Sequence, residues 1–246
     1  MVRAVFLDLG DTLVHLDRPY GEVLNGNLQS LHGYLARLGL QIDFKKFAET
    51  FIRNYDDAAA RADLYKIEIS MQEIISKVLR KSGLQILGVD LPTNAMIEFY
   101  TPEIEDWQPY PDTIETLTKL SANGYAMGLI SNTKSDWAVH AIVEKLELGK
   151  FFKAIVTSAA VRIRKPRPEI FTRALNELNV RPGDSVFVGD SVQADVAGAK
   201  MIGMHSIHVL RKPIDSTHPP QPDATVTSLS EAWEVISKWN NVSEGN

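Results

Sequence analysis

The chain has 246 residues, of which 44% are hydrophobic and 23% are charged, a balance typical of a folded globular protein rather than a disordered one. Its formal net charge of -5 argues against a nucleic-acid binder, which normally carries a basic surface. The absence of cysteine excludes disulfides, thiolate zinc sites and cysteine nucleophiles, so any metal must be held by oxygen or histidine ligands.

The first predicted element is a short apolar strand, Val2–Leu7, which ends directly at Asp8. A run of this length is too short for a signal peptide or a membrane span. We therefore expect a cytoplasmic protein without a membrane partner. We also expect Asp8 to lie at the mouth of a sheet.

The stretch after this strand is predicted to be almost wholly helical. Leucines at alternating spacings of four and three form one helical stripe that stops at Gly39. Asp43 is placed to cap a second helix, and Ser70-Met71-Gln72-Glu73 has the form of a capping box before a third. Pro92 opens a fourth helix, which we expect to run to Tyr100. These four helices predict an inserted helical domain.

The rest of the chain alternates strand-like and helical patterns. The predicted strands after the first one are Ala126–Ile130, Ala154–Val156, Ser185–Val188, Ser206–Val209 and Ala224–Val226. Such alternation predicts an α/β fold, with a Rossmann-like doubly wound parallel sheet covered by helices on both faces. We accordingly predict a core formed by residues 1–14 and 108–246, with residues 15–107 inserted as a helical cap.

Chemically active side chains occur directly after predicted strands, or before a helix that follows one. They are found in Asp8-Leu9-Gly10-Asp11-Thr12-Leu13, Ser131-Asn132, Lys165-Pro166, and Gly189-Asp190-Ser191 with Asp195 behind it. Because ligands of open parallel sheets bind at the carboxyl ends of the strands, we expect these groups to meet. Each of them alone is more typical of a turn or a helix cap. Their occurrence at separate strand ends favours one shared site.

The types of these residues indicate phosphoryl transfer. A carboxylate such as Asp8 can attack phosphorus and form an aspartyl-phosphate, which splits hydrolysis into two steps. Hard carboxylates suit Mg²⁺, which we predict as the cofactor. Ser131, Asn132 and Thr12 are candidates for binding the substrate phosphate, and Lys165 can neutralise the charge shared by nucleophile and phosphate. The expected partner is a small-molecule phosphate ester.

Two of these groups carry a resemblance to a known family. The segments Gly189-Asp190-Ser191-Val192-Gln193-Ala194-Asp195 and Lys165-Pro166-Arg167-Pro168-Glu169-Ile170-Phe171 closely resemble the fourth and third motifs of the haloacid dehalogenase-like superfamily. The resemblance covers Val2–Leu13 and about Tyr110–Trp239, and the insert is similar to the helical cap of the family's first subclass. It implies that Ser131 donates to the phosphate and that Lys165 organises charge.

The same resemblance implies how the metal is held. Asp8 would be the nucleophile, and the Gly10 carbonyl and Asp190 would join it on Mg²⁺, with Asp195 as a further metal partner acting through water. One position departs from the family's phosphatases, which usually have a second Asp two residues after the nucleophile as general acid and base. This chain has Gly10 there and an acid one place later, Asp11.

The departure leaves three functions open. A phosphatase acting on a small metabolite is the leading interpretation. A 2-haloacid dehalogenase is the second, because that branch also lacks the second Asp, although it does not need metal-type carboxylates such as Asp190 and Asp195. A catalytically weak protein that binds a phosphorylated metabolite is the third. The sequence names neither the substrate nor the oligomeric state.

Three weaker features are interpreted as structural. Arg162, Arg164 and Arg167 surround the third motif and are expected to form a solvated basic loop. His208 has no spacing that supports a metal site. Trp107 is expected to pack at the hinge between cap and core, and not primarily to contact substrate.

Overall fold

The computed structural model of the chain describes residues 1–83, 90–211 and 220–243. A six-stranded sheet forms the core, and all its neighbouring strands are parallel, in the order β5-β4-β1-β6-β7-β8. The strands are β1 (Ala4–Leu7), β4 (Ala126–Ser131), β5 (Ala154–Thr157), β6 (Ser185–Gly189), β7 (His205–Val209) and β8 (Ala224–Val226). Each predicted strand is confirmed: β8 has the predicted bounds, and each of the other five differs by one or two residues at one end only.

Helices cover both faces of this sheet, which confirms the doubly wound α/β fold. The core helices are α5 (Thr113–Ala122), α6 (Asp136–Lys145), α7 (Ser158–Val161), α8 (Pro168–Leu178), α9 (Ala197–Met201) and α10 (Leu229–Ser243). On β1, Phe6 points into the apolar layer beneath α8, while Val5 and Leu7 point into the opposite layer. Side chains of a strand alternate between faces, so one short strand fills both layers of the core.

In the sequence, four long helices lie between the first strand of the sheet and its later strands. They are α1 (Tyr20–Arg37), α2 (Phe44–Tyr65), α3 (Met71–Lys81) and α4 (Leu91–Asp106), and α1 packs along α4 while α3 packs on α2 and α4. The N-cap of Asp43 and the capping box of Ser70 are both present, as predicted. The fourth helix continues beyond the expected end at Tyr100, because its buried stripe extends past Pro102 to Ile104.

A two-stranded antiparallel ribbon connects these helices to the sheet. Its strands are β2 (Val14–Leu16) and β3 (Trp107–Pro109), and Val14 pairs with Pro109. The sequence did not predict it, because strands of three residues are too short to show a period. The ribbon lies where the chain leaves the core and returns to it, next to the predicted boundaries at 14/15 and 107/108. Those boundaries stay a prediction.

Within the described ranges, no helix has both the length and the apolar character needed to cross a bilayer. The long helices α1, α2 and α4 instead bury one face against each other and leave polar residues on the other.

Candidate active site

A cavity of about 700 Å³ opens where the carboxyl ends of β1, β4 and β6 meet the inserted helices α1, α2 and α4. Its floor is formed by the predicted residues Asp8, Gly10, Ser131, Asn132, Lys165, Asp190 and Asp195. The parallel order β4-β1-β6 places the three strand ends side by side, which is why groups so far apart in sequence converge. The expectation of one shared site is therefore met in the geometry.

Three carboxylates and one ammonium form the centre of this floor. Oxygens of Asp8, Asp190 and Asp195 all lie within 4.8 Å of one another. The Lys165 Nζ atom lies 2.6 Å from Asp8 Oδ1 and 2.7 Å from Asp195 Oδ1. Lys165 and Asp195 are almost fully buried. Three potential negative charges thus face one positive charge in a poorly solvated place.

The pKa values of these groups reflect that imbalance. Burial, reinforced by repulsion from Asp195 and opposed by Lys165, raises the pKa of Asp8 to about 6. Burial and repulsion from Asp8 and Asp195 raise the pKa of Asp190 to about 7. Burial alone would lower the pKa of Lys165, but attraction to Asp195 and Asp8 outweighs burial and raises it. Lys165 is therefore charged, and the carboxylate cluster lacks positive charge.

The residues present fit a divalent cation. Carboxylate oxygens are the ligands that Mg²⁺ prefers, and one doubly charged ion would balance the excess negative charge around Lys165. Asp8 and Asp190 are the available ligands, whereas both oxygens of Asp195 are already engaged, by Lys165 and by the Ser191 amide at 2.9 Å. This engagement agrees with the expectation that Asp195 acts indirectly.

The loop after β6 holds Asp190 and Asp195 in place. Gly189 is required there, because a Cβ atom at this position would overlap the carboxyl group of Asp195. The buried His208 contacts the Asp190 carbonyl oxygen through Nε2 at 2.8 Å. The structural role expected for this histidine is therefore observed, and it positions the main chain next to the Asp190 carboxylate.

Asn132 fixes the main chain of Lys165. Its Oδ1 accepts from the Lys165 amide at 2.8 Å, and its Nδ2 donates to the Lys165 carbonyl at 3.1 Å. The Lys165 ammonium also donates to the Ile130 carbonyl at 2.8 Å. The side chain of Asn132 thus orients the lysine, and a contact from Asn132 to phosphate stays a prediction. Ser131 ends β4 and borders the same cavity, where its phosphate contact also stays a prediction.

The loop after β1 places Gly10 and Asp11 at the cavity and Thr12 inside the protein. Thr12 is fully buried and does not border the cavity. Its role in binding substrate stays a prediction. Asp11 adopts a left-handed backbone conformation with φ of 54°, and the indole ring of Trp107 covers Gly10.

Two arginines next to the third motif pair with carboxylates of the inserted helical segment. Arg164 lies 2.6 Å from the buried Glu68, and Arg162 forms two hydrogen bonds of 2.7 Å with Glu73. The expectation of a solvated loop is wrong for Arg164, whose side chain is only 17% exposed. Arg162 stays half exposed, and both arginines pair with partners about 90 residues away in the sequence. Arg167 is exposed and pairs locally with Glu169, as a solvated loop residue would.

The roof of the cavity comes from residues of α1, α2 and α4 that the sequence analysis did not propose for the site. They are Tyr20, Tyr55, Phe99, Tyr100 and Glu103. Burial raises the pKa of Glu103, which accepts a hydrogen bond of 2.7 Å from Asn27. Trp107 also borders the cavity, so it does more than pack at a hinge. A pattern search misses these residues because their helical spacing is that of ordinary core positions.

The similarity of the sequence to a known protein family agrees with this geometry. Residues 2–203 match the family described as haloacid dehalogenase-like hydrolase, and the chain therefore belongs to that family. At the level of individual proteins, the chain is 26% identical over 239 residues to "Glyceraldehyde 3-phosphate phosphatase" of Methanocaldococcus jannaschii, covering 96% of this chain and 97% of that protein.

Solved structures show the same fold. A phosphatase of this family from Thermococcus onnurineus aligns with a TM-score of 0.68 and 24% identity, covering 96% of this chain and 98% of the other. A 2-haloacid dehalogenase from Pseudomonas syringae pv. Tomato aligns with a TM-score of 0.70 and 24% identity, covering 97% and 100%. Fold similarity alone therefore does not separate the two activities.

Proposed function

We propose that this protein is a magnesium-dependent phosphatase that hydrolyses a small phosphate monoester through an aspartyl-phosphate on Asp8. The observation that carries the proposal is the cluster of Asp8, Asp190 and Asp195, whose oxygens lie within 4.8 Å of one another beside a single lysine. Displacement of a halide from carbon by a carboxylate needs no such excess of negative charge. The phosphatase name of the relative from Methanocaldococcus jannaschii supports the same choice.

The residues of the chain suggest a sequence of two displacements. In the first, an oxygen of ionised Asp8 forms a bond to phosphorus while the bond from phosphorus to the ester oxygen breaks. In the second, water attacks the same phosphorus while the bond from phosphorus to the Asp8 oxygen breaks. This step releases inorganic phosphate and restores the Asp8 carboxylate. In both steps Lys165 would stabilise the negative charge on the Asp8 carboxyl group, and Ser131 would donate a hydrogen bond to a phosphate oxygen.

Asp8, the Gly10 carbonyl and Asp190 would hold the metal, with Asp195 acting through Lys165 and Ser191. When bound, Mg²⁺ would keep the carboxylates ionised and neutralise charge on the transferring phosphoryl group. The departing alkoxide needs a proton, and Gly10 supplies none. We propose that this enzyme therefore relies more than its relatives on leaving groups that are stable as anions.

We further propose that the four helices act as a separate cap that selects the substrate, and that the protein works in the cytoplasm on a small molecule. The cavity supports the first point, because its roof comes from cap residues such as Tyr55 and its floor from strand ends such as Asp8.

A dehalogenase remains the second candidate because Gly10 replaces the usual acid and because a dehalogenase shares the fold. One assay separates the candidates: purified protein is incubated with p-nitrophenyl phosphate or chloroacetate, each with Mg²⁺ or with EDTA. We expect phosphate release that depends on Mg²⁺. Halide release that persists in EDTA would select the dehalogenase, and no release of either product would select a binding protein.

Asp8→Asn tests the nucleophile. The substitution removes the ionisable oxygen without changing the size of the side chain, so we expect phosphate release to fall to the background of the assay with an unchanged circular dichroism spectrum. Asp57→Asn, the same change at an exposed position of α2, is the matched control and should retain activity. A folded Asp8→Asn variant with a near-normal rate would remove Asp8 from the nucleophilic role.

A further inference from the structure

Lys134 is a half-buried ammonium in the wall of the catalytic cavity, three residues beyond Ser131. Within the described part of the chain its charged end forms no ion pair, and it lies over the ring of Tyr55, whose centroid is 4.9 Å from Nζ. A ring offers a cation only part of the stabilisation that a carboxylate gives. Lys134 is therefore a cation that faces the substrate space without a full counter-charge.

The charges around Lys134 do not cancel. Three cations, Lys134, Arg164 and Lys66, border this side of the cavity. Two carboxylates oppose them, and both are engaged by Arg164: Glu68 at 2.6 Å and Asp63 at 3.4 Å. Among the described residues, neither Lys134 nor Lys66 is therefore left with a carboxylate of its own. Burial lowers the pKa of Lys134, although attraction to Glu68 opposes that effect, as expected for a cation short of a partner.

The main chain around Lys134 is held by hydrogen bonds, so the point from which its side chain extends is fixed in advance. The Lys134 carbonyl accepts a hydrogen bond of 2.8 Å from the amide of Met71, at the start of α3. The neighbouring Thr133 amide donates to Ser158 Oγ at 2.8 Å, and Ser158 Oγ donates to Glu68 at 2.6 Å. Such a frame links cap and core and reduces the cost of ordering a ligand contact.

We infer that Lys134 binds a carboxylate at the far end of the substrate, so that the preferred substrates are phosphate monoesters of hydroxy acids. This inference rests on the proposed phosphatase function and narrows its substrate class. A carboxylate fits better than a second phosphate, because Lys134 offers a single ammonium and because Arg164, the side chain with a bidentate fork, is already occupied by Glu68 and Asp63.

The test compares ligands that differ only in the distal group. 2-Phosphoglycolate is paired with 2-hydroxyethyl phosphate, and 3-phosphoglycerate with glycerol 3-phosphate, so that two chain lengths are covered. Dissociation constants are measured calorimetrically with Mg²⁺ present, in the Asp8→Asn background that prevents turnover. We expect the acid of at least one pair to bind about 10- to 100-fold more tightly, the range for one hydrogen bond to a charged group.

In the Asp8→Asn background, adding Lys134→Met should reduce the ratio of the two dissociation constants in a pair to near one. Adding Lys134→Arg should retain part of the preference for the acid. Lys153→Met, which removes an exposed lysine far from the cavity, is the matched control for net charge and should keep the full ratio. Melting temperatures measured for every variant establish that it is folded, and Lys134→Arg supplies the result if Lys134→Met does not fold.

Three results would overturn the inference. The first is a ratio near one in both pairs, or no detectable binding of either acid. The second is a preference for the acid that neither Lys134→Met nor Lys134→Arg changes. The third is tighter, Lys134-dependent binding of ethylene glycol bisphosphate than of 2-phosphoglycolate, which would assign the site to a second phosphate. Failure of the phosphatase proposal can be distinguished from failure of this inference, because the phosphatase proposal is tested separately by the turnover of an aryl phosphate by the wild type.

Discussion

Restoring an acid at position 10 is the most informative perturbation of this site. Gly10 has ordinary, not left-handed, backbone geometry, and a Cβ atom there would lie 3.5 Å from Cη2 and 3.9 Å from Cζ3 of Trp107. These are normal van der Waals distances, so Gly10→Asp should fold. The new carboxyl group would stand near Asp8 and Asp190 in a poorly solvated place, and its pKa would therefore be raised. A carboxyl group that keeps its proton near neutral pH is suited to protonating a leaving group.

The expected effect is on leaving-group dependence. General acid–base catalysis typically contributes ~10²- to 10⁴-fold, and a newly introduced acid should reach only the lower end. We expect the rate on alkyl phosphates to rise by roughly 10-fold or more, with little change on p-nitrophenyl phosphate, whose leaving group needs no proton. The assay is kcat/KM across a series of aryl and alkyl phosphates, plotted against leaving-group pKa.

Gly10→Asn is the matched control, since it has the same shape without a transferable proton, and it should leave the slope of the plot unchanged. Thermal unfolding of each variant separates misfolding from failed chemistry. A folded Gly10→Asp variant with the wild-type slope, together with an Asp11→Asn variant that loses activity mainly on alkyl esters, would refute the reasoning. The acid role would then belong to Asp11.

Two further predictions concern the carboxylate cluster. Because the pKa values of Asp8 and Asp190 are raised to about 6 and about 7, protons compete with Mg²⁺ for these carboxylates below those pH values. The affinity for Mg²⁺, measured calorimetrically, should therefore increase as the pH rises from 5.5 to about 8 and then level off, with protons released on binding. A Mg²⁺ affinity that does not change with pH would contradict this prediction. Gly189→Ala should lower the free energy of unfolding by about 1–3 kcal/mol in a denaturant titration, because its Cβ would overlap Asp195. Gly21→Ala, where the added atom meets nothing, is the control, and equal midpoints for the two variants would contradict the packing argument.

The sheet and the floor of the site could be predicted from the sequence for a physical reason. Parallel strands buried on both faces read as apolar runs, and their carboxyl ends must lie along one edge. Asp8, Lys165 and Asp190 could therefore be brought together without knowing the order of the strands. Polar residues at the end of an apolar run are a local signal, and a reader of one sequence has access only to local signals.

The features that escaped prediction depend on contacts between distant segments. The pairing of Glu68 with Arg164 joins residues 96 positions apart, and nothing in either neighbourhood indicates the other. The hydrogen bonds between Asn132 and the main chain of Lys165 are likewise visible only in three dimensions, because the two residues are 33 positions apart. The burial of Thr12 is equally invisible in the sequence, because a turn of one residue decides which side chain faces the cavity.

The loop before Lys165 carries a constraint on its length. Arg162 and Arg164 reach the cap, and the main chain pairs with the cap on the same stretch, since the Arg164 amide donates to the Lys66 carbonyl at 3.1 Å. The very next residue, Lys165, turns into the core. One inserted or deleted residue would therefore move either a cap contact or the buried ammonium out of register. A stretch that looks like a basic surface loop should consequently tolerate substitutions at some positions but no insertion or deletion, which sets it apart from ordinary loops, where changes in length are readily accepted.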